Sequence, residues 1–274
     1  MKKTRLLIAL LVMLVAASGY AQDTYREAVK QYLNVDERFE RIKTVMPVMK
    51  MLFVQDGNVD IDQLTERYLK EQLTDDYAES LIPILQAQNI TEADLQEVYS
   101  LLSTPQGKTF AAHIAEWENE LDAEITSLML EAFLDMEPEG KLKLEPIQPD
   151  TDIDAAYAAK MSKLLDDMSL VSTMIKKLEE PSSDGSEDEV DPEMIDWFKD
   201  NMSVIALNTA YGNMSVEDID YGLMLFSKEY YRKLMDIYKL KSEELARFIF
   251  TNYSDWMEAQ GATLKEGPML SGDY

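Results

Sequence analysis

The sequence predicts an all-α protein: two related multi-helix units in tandem, joined by a proline-rich connector. Three observations carry that prediction. Apolar residues recur at helical spacing over long stretches, whereas strand-like alternation of Val, Ile and Thr is nearly absent. Helix-start signals are legible at several points. One capped segment also aligns without gaps on another 124 residues further on. The expected division is a signal peptide over 1–21, a first unit over 22–136, a connector over 137–153, a second, more degenerate unit over 154–262 and a tail over 263–274.

Lys2, Lys3 and Arg5 precede a short apolar run over 6–17, and Gly19 and Ala21 stand where a signal peptidase reads small residues. The run is shorter than the roughly 20 residues a spanning helix needs. The expected mature chain begins at Gln22 and is periplasmic or secreted, soluble and not membrane-embedded.

In the first unit, Pro47 and Pro83 fall inside apolar patterns and are expected to kink or divide their helices. Thr91, with Asp94 three residues on, resembles a capping box. Phe110, Ile114, Trp117, Leu121, Ile125, Leu128 and Ala132 step by three or four, which places them on one face of a long helix. The connector contains Pro138, Gly140, Pro146 and Pro149, with a short extended piece expected over 141–144. In the second unit, Tyr157, Met161, Leu164, Met168, Val171, Ile175 and Leu178 form a similar stripe. Residues 179–191 are rich in Ser and acids and read as a solvated loop.

The repeat pairs Thr91 with Ser215, Asp94 with Asp218, Leu95 with Ile219 and Leu102 with Phe226. Upstream, at a slightly different offset, Phe39, Ile42, Val45, Met49 and Leu52 meet Leu165, Met168, Val171, Ile175 and Leu178. One helical arrangement is expected twice.

The stretch 95–108, Leu-Gln-Glu-Val-Tyr-Ser-Leu-Leu-Ser-Thr-Pro-Gln-Gly-Lys, resembles the central motif of the DUF2059 family, a bacterial exported helical domain of unknown function. Thr104, Pro105, Gly107 and Lys108 match that motif's turn, while Leu101 and Leu102 replace its aromatic pair. The resemblance covers roughly 74–130, and in the second unit Lys228, Glu229 and Tyr231 stand where threonine, proline and glycine would be. It implies a helical fold and export, and it transfers no catalytic residue. In physical terms Thr104 caps, Pro105 opens the next helix, and Gly107 permits close approach of a neighbour. Lys108 is a cation in a first turn, where the helix dipole does not favour it.

Composition narrows the chemistry. The chain has no cysteine, which removes disulfides, thiolate catalysis and cysteine–zinc sites. With 52 acidic against 26 basic residues, its net charge of −26 repels nucleic acid and anionic lipid. His113 is the only histidine, so any Ser-His-Asp triad would have to use it, and a packed or surface role is the simpler reading. Glu116, Glu120 and Glu124 form pairs at helical spacing that read as a solvated face. Asp56, Asn58 and Asp60 have the spacing that opens an EF-hand loop, but Ile61 and Arg67 stand where glycine and glutamate are needed. A turn, with Asp60 or Asp62 capping the next helix, is expected instead. Asp184, Glu187, Asp188, Glu189 and Asp191 would attract cations at most loosely. There is no phosphate-binding glycine loop, and no cofactor, metal or catalytic site is expected.

The functional expectation is an exported helical interaction protein that binds an unidentified protein or peptide. The 17 Met and 14 Tyr supply adaptable apolar surface for such a role. A carboxylate-dependent hydrolase of envelope polymers and a low-affinity cation binder are the alternatives.

Overall fold

The computed structural model of the chain describes residues 23–55, 59–134, 145–179 and 192–264. Among them the fold is all-helical, apart from one two-residue bridge. The elements run as α1 (23–33), α2 (Glu37–Phe53), β1 (Val54–Gln55), α3 (Ile61–Glu71), α4 (Leu73–Ala87), α5 (Glu92–Leu102), α6 (Pro105–Leu134), α7 (Ala155–Met168), α8 (Leu170–Glu179), α9 (Pro192–Asn213), α10 (Val216–Phe226), α11 (Glu229–Ala259) and β2 (Thr263–Leu264). β1 pairs antiparallel with β2, Val54 opposite Leu264 and Gln55 opposite Thr263.

The helix starts are built as the sequence implies. Thr91 accepts the Asp94 N–H while Asp94 accepts the Thr91 N–H, and Ser215 and Asp218 repeat the same reciprocal box. Asp60 caps α3 by accepting from the Gln63 amide, and Asp154 caps α7. Asn89, in the left-handed region, stops α4, with the Ile90 amide bonding back to the Leu85 carbonyl.

One expectation narrows and one changes. Pro47 and Pro83 lie inside α2 and α4 without dividing them. A proline deletes one backbone bond, and Leu81 and Leu85 on either side of Pro83 are fully buried, so packing holds that helix together. The stripe from Tyr157 to Leu178 does not run along one helix. Ser169 adopts φ 51° and separates α7 from α8. The 141–144 piece and nearly all of the acidic loop lie outside the described residues, as do Asp56 and Asn58.

Packing divides the chain into two compact units, and the division is interleaved rather than sequential. Among the described residues, one comprises those up to 103 with those from 236 onward, and the other those from 104 to 235. This is not the split at 137–153 that the tandem reading expects. In the first unit, Tyr68 stacks edge-on against Tyr253 at 5.1 Å, and the Thr65 and Tyr253 hydroxyls meet at 2.8 Å. Val29, Leu33, Leu73, Leu81 and Leu95 are fully buried there. In the second, α6 packs on α9, and α10 packs on both α6 and α7. Phe110, Trp117 and Leu121 of the α6 stripe are buried, whereas Ile125 and Leu128 are only half covered. Each unit thus has an apolar core of its own.

The local recurrence is close even though the units do not follow it. Shifted by 124 residues, α5 coincides with α10, and α6 begins where α11 begins. Leu95 and Ile219 are both 0% exposed, and Leu102 and Phe226 are both buried. The upstream match is looser: α2 is continuous over Phe39 and Val45, whereas its counterpart breaks at Ser169.

Candidate functional site

The Thr104 turn is a helix start. Ser103 ends α5, Pro105 opens α6, and the Gly107 amide donates to the Thr104 hydroxyl at 2.9 Å. Gly107 is buried, and Lys108 points outward with no ion pair among the described residues. In the recurrent turn Tyr231 replaces Gly107 and is itself buried, edge-on to Phe226 at 5.1 Å.

The sole histidine has a specific partner. His113 on α6 places Nδ1 2.9 Å from Asp218 Oδ2 on α10. The same oxygen accepts the Ser215 hydroxyl at 2.6 Å and the Ser215 amide at 2.9 Å. Burial raises the Asp218 pKa, but the bonds from Ser215 and His113 outweigh it and hold the carboxyl below its ordinary value. The carboxylate is therefore an acceptor, and Nδ1 carries the proton it receives. Connectivity decides the chemistry. In a nucleophilic triad the imidazole lies between hydroxyl and carboxylate. Here the carboxylate lies between the other two, so the Ser215 proton faces Asp218 rather than a base. The cluster completes a helix cap and ties α10 to α6.

A second buried carboxylate does similar work. Asp36 opens α2, accepting the Arg38 amide at 3.0 Å and the Tyr32 hydroxyl at 2.9 Å. Burial, then the nearby Asp36 charge, pushes the Tyr238 hydroxyl well above its usual pKa. Asp36 and Asp218 belong to different units and each serves a helix start. Glu116 and Glu124 are exposed, and Glu120 accepts from Asn213 at 2.6 Å. Among the described residues no group of three or more potential metal ligands converges.

Two further features escape reading in one dimension. In the first unit an open apolar groove of about 450 Å³ runs between α4 and α11, floored by Pro83, Ile84, Leu245 and Phe248 and rimmed by Glu79, Glu244 and Lys241. Phe248 is 38% exposed, a partly uncovered aromatic in the groove lining. In the second unit the later part of the connector lies along α9. Trp197 Nε1 donates to the Glu145 carbonyl at 2.8 Å, and Asn201 Oδ1 accepts the Ile147 amide at 2.7 Å. Asn208 grips twice, donating to the Gln148 carbonyl at 3.0 Å and accepting the Asp150 amide at 2.9 Å. Tyr211 donates to the Asp152 carbonyl at 2.9 Å. The spacing of these four residues marks one helix face, but nothing in the sequence names the segment that occupies it.

Comparison with protein-family models, curated proteins and solved structures finds no match to this chain. No helix among the described residues is long and apolar enough to cross a membrane.

Proposed function

We propose that this is an exported helical interaction protein of the bacterial envelope, with a DUF2059-like turn at Thr104 to Lys108, whose ligand is a segment of another protein. The α4–α11 groove carries the reading. Its floor is apolar, Phe248 in its lining is left partly uncovered, and nothing among its lining residues resembles catalytic machinery. The net charge of −26 favours a basic occupant; Glu79 and Glu244 on the rim are paired with Arg26 and Lys241 yet more than half exposed, so each keeps a face toward an incoming cation. A basic amphipathic helix would set its apolar face on the floor and its cations toward that rim.

The test is titration of the full chain with a labelled Leu/Lys amphipathic peptide, followed by fluorescence anisotropy. Saturable binding that weakens with salt and falls about tenfold in Phe248→Glu, a loss of about 1.4 kcal/mol, is the expected result. Equal binding by wild type and Phe248→Glu, with helicity unchanged, would remove the groove from the reading.

A further inference from the structure

We propose that the face of α9 bearing Trp197, Asn201, Asn208 and Tyr211 is a recognition surface for an extended, proline-spaced peptide, and that residues 145–152 are its built-in occupant. Four side chains take five main-chain groups, the carbonyls of Glu145, Gln148 and Asp152 and the amides of Ile147 and Asp150. A surface that reads the main chain reads conformation first and side chains second. The requested amides belong to Ile147 and Asp150, and Pro146 and Pro149, each just before one of them, have none to offer. The register therefore suits Pro-x-x-Pro spacing, in which each proline presets the extended backbone and lowers the ordering cost. Asn201 is 5% exposed and fixed by its own bond to the Trp197 carbonyl, so its acceptor is preset toward the strap.

The strap itself is shallowly held. Of 145–152, only Ile147 is even half-buried, and the other residues are exposed. Its occupancy rests on tethering, which supplies an effective concentration on the order of millimolar for a short linker. A free peptide of the same spacing on another polypeptide competes for the same five bonds once it matches that concentration, or if it adds apolar contacts that the strap lacks. The strap is then an internal competitor that sets the threshold for ligand binding.

The probe is a labelled synthetic peptide with the sequence of residues 145–153. Against the full chain carrying Pro146→Gly, Ile147→Gly and Pro149→Gly, it should bind saturably and about tenfold or more tightly than to wild type, where the tethered strap competes. Adding Asn208→Ala to that variant should abolish the gain. Wild type provides an independent readout whether or not the triple variant folds. Isotope-labelled peptide at millimolar concentration should give intermolecular NOEs to the indole N–H of Trp197 and none to that of Trp117. Absence of NOEs to Trp197 overturns the proposal, as does binding indifferent to Asn208→Ala. Concentration-dependent dimers formed by strap exchange would give the face to a second copy instead, and would equally overturn it.

Discussion

Trp117 shows how much one buried side chain holds in this fold. It is 0% exposed, and its indole N–H reaches the Ala206 carbonyl at 3.2 Å and the Thr209 hydroxyl at 3.1 Å. Trp117→Ala removes the ring and leaves a cavity, so denaturant titration should show a loss of about 3–5 kcal/mol. A change near zero would contradict the burial. Asp218 makes a prediction in pH. Its folded pKa is depressed, so the stability it contributes is present above the ordinary carboxyl range and is lost as pH falls through the lowered value. His113→Ala removes one of the bonds that depress it. The Asp218 carboxyl, followed by carbon NMR, should then titrate at higher pH than in wild type, and an unmoved curve would show that His113 does not reach it.

At the scale of elements, α10 is positioned by the absence of a side chain. A Cβ on Gly222 would lie 3.0 Å from a Phe110 ring carbon and 3.1 Å from a Leu164 methyl. Both neighbours are almost completely buried and have little room to yield. Ala in place of Gly improves helix propensity by roughly 1 kcal/mol, while overpacking costs roughly 1–3 kcal/mol. Gly222→Ala should therefore destabilise by about 1 kcal/mol in chemical denaturation, and Gly222→Leu by distinctly more. In the recurrent helix α5 the corresponding residue is Val98, fully buried. The two capped helices thus bury matching residues at their ends and differ at this position, where only α10 needs a glycine against Phe110 and Leu164.

For the whole molecule, the prediction concerns processing. Three basic residues, an apolar run and small residues at 19 and 21 stand in signal-peptide order. Intact-mass analysis of the protein recovered from its native cells should give a chain beginning at Gln22, and retention of the first 21 residues would refute the signal-peptide reading. The interleaved division means that the chain passes between compact units at Ser103/Thr104 and again within α11, at Met235/Asp236. The first unit therefore contains contacts between residues very far apart in the chain, such as Thr65 with Tyr253.

Helix identity, caps and most core positions were legible because they depend on neighbours within a turn or two. The Thr91/Asp94 and Ser215/Asp218 boxes, the Thr104–Pro105 start and the burial of Phe110, Trp117 and Leu121 all belong to that class. The break at Ser169 was hidden because a left-handed serine bears no compositional mark. The His113–Asp218 bond, the α4–α11 groove and the strap on α9 were hidden for a different reason: each joins residues far apart in sequence. Amphipathic periodicity states which face of a helix is buried but not which helix will cover it, because apolar burial is non-directional. Composition and periodicity suffice for an all-helical, acidic, cysteine-free chain and for many of its helix starts. Which helices share a core, and that Asn201 and Asn208 hold an extended segment of the chain's own backbone, follow from contacts between residues distant in sequence.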